Sequence, residues 1–209
     1  MWSKDDIQNG KLPSSLNDVS VTVNNKPAYI EFVSPAQINV LTPDDTSSGP
    51  VEVIVKTANG SSDPVRVQMQ QPAPGFFLFD RKYLAASHGD GKAIGRPGLF
   101  PPFPNLTTPA KPGEPIVLYA TGCGVTDPAA PSGQVVTQPS KLITIPRITI
   151  GGLPATVQFA GLIPGFSGLF QFNVEVPAAI GDGDQPVVAE LNGIFSPSGP
   201  DCCFITVQR

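Results

Sequence analysis

Residues 151–161 read GGLPATVQFAG, and residues 24–34 read NNKPAYIEFVS. Both phrases place a pair of turn formers one residue ahead of Pro-Ala, at Pro27-Ala28 and Pro154-Ala155, and then alternate apolar and polar side chains. The likeness extends in both directions. Val21-Thr22-Val23 answers Ile148-Thr149-Ile150. Gln37-Ile38-Asn39-Val40 answers Gln171-Phe172-Asn173-Val174, and each copy reaches a proline three residues later, Pro43 and Pro177. PVEVIV from Pro50 matches PVVAEL from Pro186, and both runs lead to Asn-Gly, at Asn59-Gly60 and Asn192-Gly193. The second copy carries an insertion containing LIPGFSG. A likeness this long is an internal duplication, so the chain consists of two related bodies.

Each copy is written with a period of two. VSVTVNN, AYIEFVS, QINVLTP, VEVIVKT and VRVQMQ in the first, and PIVLYATG, RITIGG, ATVQFAG, LFQFNVEVP, PVVAELNG and CFITVQ in the second, read as strands. Asn24-Asn25, Gly151-Gly152 and Asn59-Gly60 suit tight hairpins, whose central residues take positive φ. No segment holds a 3.6-residue period for three turns, so the chain is all-β. Strands recurring about every ten residues, each with one apolar face, must pack sheet on sheet. The duplication makes that two tandem β-sandwiches, residues 1–72 and 73–209. They are joined near QQPAPG (70–75), where proline keeps the connection extended and stiff.

The copies also differ. PAKPGEPIVLYATGCGVTDP (109–128) precedes the second hairpin phrase, whereas only MWSKDDIQNGKLPSSLND (1–18) precedes the first. The first sandwich is therefore expected to lack its opening strand and to expose a sheet edge, upstream residues of a longer chain having supplied that strand. Residues 76–109 have no counterpart in the first copy. GFFLFD and KYLAAS read as strands, and HGDGKAIGRPGLFPPFPNLTTP (88–109) reads as a long loop of the kind that carries binding on a rigid scaffold.

Composition narrows the function classes. With 21 Gly and 25 Pro in 209 residues but 40% hydrophobic residues, short strands between turns explain the chain better than disorder. A net charge of −4 with scattered Lys and Arg argues against a nucleic-acid surface. No apolar run approaches the roughly 18–20 residues of a membrane span, and MWSKDDIQNG has no apolar signal-peptide core. Of the three cysteines, Cys202 and Cys203 are neighbours, which need a strained geometry to bond. Cys123 pairs with either only if the fold brings them together. Three buried thiols, behaving as small apolar side chains, are expected.

Chemistry is sparse. His88 is the single histidine, which excludes a multi-His metal site, and no GxSxG occurs. HGDGKAIG misses the GxGxxG spacing and reads as a turn. Asp44-Asp45 and Asp182-Gly183-Asp184 offer oxygens suited to calcium but follow the QxNV strands, where solvated turns are expected. Glu31, Glu52, Glu175 and Glu190 lie within strand alternation. A hydrolase would need two facing carboxylates in a cleft, or His88 beside a nucleophile. No catalytic residue, metal or cofactor is assigned. Binding is harder to dismiss than catalysis: Tyr83, Phe100, Phe103 and Phe166, with His88 in the long loop and Trp2 near the start, are candidates to stack on sugar rings or seat a partner's peptide. The favoured alternative for the aromatics is that they plug the sandwich ends or seal the domain junction.

PAKPGEPIVLYATGCG (109–124), ITIGGLPATVQFAGL (148–162) and GLFQFNVEVP (168–177), together with APGFFLF and HGDG, resemble a family of uncharacterised Ig-like (IPT/TIG-type) C-terminal modules of large secreted bacterial proteins, abundant in Acidobacteria. LPSSLNDVSVTVNNKPAYIEFVSPAQINVLTP (12–43) resembles the module that precedes it. Cys123 departs from the Leu or Phe expected at its position. The resemblance implies Ig-like sandwiches, an extracellular or cell-surface location and no catalytic residue. The expected function is a non-catalytic structural, adhesion or protein-interaction module at the C-terminal end of a larger exported protein. The alternative is a carbohydrate-binding accessory module of a secreted enzyme. Expected partners are other protein domains or chains, by strand addition at an open sheet edge, or glycans. Neither nucleic acid nor a membrane span is expected.

Overall fold

The structure, a computed structural model, describes residues 6–209. Among them there is no α-helix, and the chain is all-β. It divides into two compact units. The first comprises, of the described residues, 6–71 with 128–140 and 163–168; the second comprises 72–127, 141–162 and 169–209. Residues 128–140 and 163–168, expected from sequence within the second sandwich, cluster with the first unit. Ile163 to Gly168 is the greater part of the LIPGFSG insertion.

In the first unit a six-stranded sheet runs in the order Ser15–Leu16, Val19–Val23, Gly49–Thr57, Gly60–Ser61, with Lys26–Pro27 and Val65–Met69 pairing alongside. A two-stranded sheet of Tyr29–Val33 and Ile38–Leu41 faces it. Val21, Val23, Ala28 and Val51 form the buried core, and Ile38, Val40, Val53, Val55 and Met69 pack against it half-buried. Segments 128–140 and 163–168 complete this unit. Leu12 donates to Gly133 O (2.8 Å), Val135 to Gly10 O (2.7 Å), and Val136 to Phe166 O (2.8 Å). The approach demands glycine: a Cβ on Gly133 would stand 2.3 Å from the Tyr29 ring, and one on Gly168 would stand 2.5 Å from Leu41 Cδ1.

The second unit holds a 13-stranded sheet. Leu153–Leu162 is shared along its length: its first residues pair with Arg147–Ile150 and the rest with Phe170–Glu175. The sheet thereby bends back over itself around Ile116, Leu118, Ile148, Ile150, Phe172, Val174, Leu191 and Ile205, each under 2% exposed. Burial of one such side chain stabilises by about 1.5–3 kcal/mol.

The duplication holds at atomic detail. Asn24 donates to Glu52 O, and Gly151 to Pro186 O, at 2.9 and 2.8 Å. Both hairpins turn on residues of positive φ: Asn24 and Asn25 at 51° and 60°, Gly151 and Gly152 at 60° and 76°. One strand of each copy carries a bulge at the same place, between Ile30 and Phe32 and between Val157 and Phe159, with the extra residue (Glu31, Gln158) exposed. Val55 N–H donates to Ser62 Oγ (3.1 Å) and Ala189 N–H to Ser196 Oγ (3.0 Å). The matched backbone bonds set Glu52 against Pro186, so the sequence match of Pro50 to Pro186 is off by two residues. The Asn-Gly pairs are not equivalent either. Asn192-Gly193 forms the centre of its turn, whereas Gly60 already begins the return strand.

Two further expectations change. Cys202 and Cys203 are joined as a disulfide, at a turn where Cys203 has a φ of 76°, so only Cys123 is a free buried thiol. Asp45 is buried and Asp184 half-buried, each held by side-chain donors where solvated turns are expected. Asp45 is 7% exposed and accepts from Asn24 Nδ2 (2.8 Å) and Ser47 N (2.9 Å), with Lys26 Nζ at 3.3 Å. The Ser47 side chain and amide, then Asn24 and Lys26, outweigh the cost of burial and hold the Asp45 carboxyl well below the usual carboxylate range.

Candidate functional site

The open edge expected of the first unit lies along Ile38–Leu41. In the second unit the matching strand, Phe170–Glu175, is flanked by Leu153–Leu162 on one side and by Pro115–Thr121 on the other. Ile38–Leu41 has Tyr29–Val33 on one side and, among the described residues, no strand on the other. Its free side can be worked out. Ile30 N–H donates to Pro13 O (2.8 Å), turning away from its cross-strand partner Val40. In an antiparallel pair both members then face outward, so Val40 directs its N–H and C=O to the open side, and Ile38 does so by alternation. The second copy agrees: Val176 exchanges bonds with residues 113 and 114, which puts the backbone groups of Val174 and Phe172 toward Pro115–Thr121.

Side-chain burial tells the same story. Phe172 and Val174 are 0% exposed beneath Pro115–Thr121, while their counterparts Ile38 and Val40 are half-buried. Between them on the opposite face a side-chain amide pair repeats. Gln37 Nε2 donates to Asn39 Oδ1 (2.6 Å), and Gln171 Nε2 to Asn173 Oδ1 (2.7 Å). The first unit has a second unflanked strand, Val65–Met69, with Val65 61% and Val67 42% exposed. Its counterpart Phe204–Val207 is covered only by single-residue bridges at Tyr83 and Ala110.

The sequence-derived site residues do not form one constellation. Tyr83 is 5% exposed; its hydroxyl donates to Asp184 Oδ2 (2.7 Å), which also takes Lys82 Nζ at 2.8 Å, while Thr206 Oγ1 donates to Asp184 Oδ1 at 3.0 Å. Burial raises the Asp184 pKa, but these bonds win and lower it, and Asp184 in turn raises that of Lys82. That cluster is a structural anchor. Both His88 ring nitrogens are engaged, Nδ1 with Glu114 Oε1 (2.6 Å) and Nε2 with Thr108 O (3.2 Å) and Oγ1 (3.0 Å).

Phe100 meets a residue outside the expected set, and Phe103 follows it one turn later. Phe79 meets Phe100 edge-on, with centroids 5.6 Å apart. Successive turns, Phe103 N to Phe100 O (2.8 Å) and Leu106 N to Phe103 O (3.0 Å), present Phe103 (65% exposed) and Leu106 (49%). Phe166 belongs to the other unit and is 52% exposed. Trp2 lies outside the described residues. Among the described residues, no three His, Cys, Asp or Glu are grouped so as to hold a metal. The unflanked side of Ile38–Leu41 presents backbone groups, so no side-chain motif marks it; its sequence signal is the missing counterpart of PIVLYAT.

No curated protein matches the sequence. Two solved structures are similar over 91% of this chain. One is the Bacteroides ovatus mixed-linkage glucan utilization locus protein SGBP-B in complex with a mixed-linkage heptasaccharide (12% identity, TM-score 0.28). The other is the titin Ig tandem domains A164-A165 (10% identity, TM-score 0.26). The chain spans 37% of the first and 81% of the second, and at these scores neither likeness carries an argument. Residues 11–69 match the model of the IPT/TIG domain, in keeping with an Ig-like β-sandwich, and the second unit repeats the strand pairing, turn and bulge of this region.

Proposed function

We propose that this protein is a non-catalytic interaction module of an exported, extracellular or cell-surface protein, and that its first unit binds by taking a strand from another polypeptide. The observation carrying this reading is the Ile38–Leu41 edge: outward backbone groups at Ile38 and Val40 above side chains left half-buried. An edge of this kind gains main-chain hydrogen bonds and apolar burial together when a strand docks. The test is a display library of random heptapeptides selected on the protein and counter-selected on Val40→Pro. Proline there removes an outward N–H and leaves the pairing with Tyr29–Val33 intact. Enrichment of peptides that bind the parent and not the variant is expected; no such enrichment refutes the reading.

A second reading has its own support. Phe103, 65% exposed, and Phe79, 38% exposed with its ring edge-on to Phe100, offer ring surface suited to stacking on sugars, as a carbohydrate-binding module requires. A glycan array, with Phe103→Ala as control, separates the two. Signal lost in that variant and retained in Val40→Pro would favour glycan binding.

A further inference from the structure

We infer that the strand accepted by the first unit runs antiparallel to Ile38–Leu41, in the register and with the side-chain pattern that Pro115–Thr121 shows in the second unit. This rests on the strand-acceptor reading and specifies its partner: a polypeptide segment that is extended, uncharged where it pairs, and aliphatic at alternate positions.

The duplication supplies the template. Pro115–Thr121 reads PIVLYAT and pairs Pro115 with Glu175, Ile116 with Val174, Val117 with Asn173 and Leu118 with Phe172. Ile116, Leu118 and Ala120 are buried, at 1%, 0% and 1% exposure. The equivalents of Glu175, Val174, Asn173 and Phe172 are Leu41, Val40, Asn39 and Ile38, through the shared bulge register and the repeated Gln-x-Asn pair. A donor therefore sets one aliphatic residue opposite Val40 and the next but one opposite Ile38, and both turn inward onto Val21, Val23 and Val51. Its backbone obeys the same alternation. Residues opposite Val40 and Ile38 exchange hydrogen bonds with them, while the residue between, in the place of Val117, points its N–H away. Charge at the inward positions would be buried without a partner and is excluded.

A parallel donor would keep the inward alternation but replace the paired hydrogen bonds at Ile38 and Val40 with the slanted ladder of a parallel pair, which the second unit does not show. A second copy of this chain fits poorly as donor, because its own PIVLYAT strand is held between Ala86–His88 and Phe170–Glu175. The other open edge, Val65–Met69, has no continuous strand over its counterpart and so no template of this kind.

The test uses a fluorescein-labelled peptide PIVLYAT, capped at both ends and carrying a lysine tail for solubility, titrated into the whole protein and followed by anisotropy. Saturable binding is expected. It should weaken at least tenfold on N-methylation at the second residue and stay within twofold on N-methylation at the third. These peptide arms do not depend on how a protein variant folds. Binding should also fall at least tenfold in Val40→Pro and persist in Gln68→Pro, which alters the other edge. Amide exchange across residues 38–41 should slow at least tenfold in the complex.

Equal sensitivity to the two N-methyl groups, or loss in Gln68→Pro instead of Val40→Pro, overturns the proposed register and site. Library peptides that require Val40 while PIVLYAT does not bind would overturn the pattern and leave the acceptor reading standing. No peptide of either kind would bring down both. Concentration-dependent dimers of the protein that Val40→Pro dissolves would make a second copy the occupant and overturn the assignment of a PIVLYAT-like donor.

Discussion

The duplication places one hydrogen bond in two environments, which gives an internal control on what burial is worth. Ser62 Oγ accepts from Val55 N–H and Ser196 Oγ accepts from Ala189 N–H, at 3.1 and 3.0 Å, on the return strand of matching hairpins. Ser62 is exposed and Val55 half-buried, whereas Ser196 is 3% and Ala189 1% exposed. Alanine in place of Ser196 leaves the Ala189 N–H buried with no acceptor, a loss of about 1–3 kcal/mol. Alanine in place of Ser62 hands the Val55 N–H to water, with a change within about 0.5 kcal/mol. The serine amides keep their bonds to Val55 O and Ala189 O in either variant, so only the hydroxyl is lost. With two units present, a single unfolding free energy is ill-defined, and amide exchange by mass spectrometry reads each unit separately. At about 2 kcal/mol, Ser196→Ala should speed exchange of the slowest amides in 183–196 by roughly thirtyfold. Ser62→Ala should change those in 49–57 by no more than two- to threefold. Equal accelerations, or a larger effect at Ser62, would refute the burial argument.

Four further outcomes are expected. Because the folded-state pKa of Asp45 is depressed, its contribution is complete above the unfolded carboxylate value near ~4 and is lost as pH falls below it. Exchange in the first unit should therefore accelerate with acid below about pH 4, and Asp45→Asn, already weakened at neutral pH, should show a flatter acid response. Gly133→Ala should loosen the first unit by at least about 1–2 kcal/mol, since φ is 78° and the new methyl meets Tyr29; thermal melting with exchange in 10–30 checks it. Burial pushes the Cys123 thiol up to about 12, so iodoacetamide at pH 8 should modify it slowly in the folded chain and readily in urea. Phe103→Ala, 65% exposed, should leave melting unchanged within what about 0.5 kcal/mol produces, and any glycan binding should drop with it.

Much of this architecture is legible in the residues because it is local. Alternation names the strands, Asn24-Asn25 and Gly151-Gly152 name the hairpins, and the repeated phrases name the duplication. Local signals also mislead in characteristic ways. Matching Pro50 to Pro186 is wrong by two residues, and a two-residue slip keeps every side chain on its face, so the pattern gives no warning. Asp44-Asp45 reads as a solvated turn because the donors to Asp45, Asn24, Lys26 and Ser47, include residues about twenty positions away. Tyr83 reads as a binding ring, yet its hydroxyl is committed to Asp184 across the unit.

By itself, the sequence determined an all-β chain with a repeated strand pattern, the second copy carrying an insertion. Which side of Ile38–Leu41 is open, that residues 128–140 and 163–168 complete the first unit, and that the same serine bond is buried in one copy and wet in the other were decided only in three dimensions. The physical reason is that period and turn conformation depend on neighbouring residues. Flanking and burial depend on contacts between residues far apart in the chain.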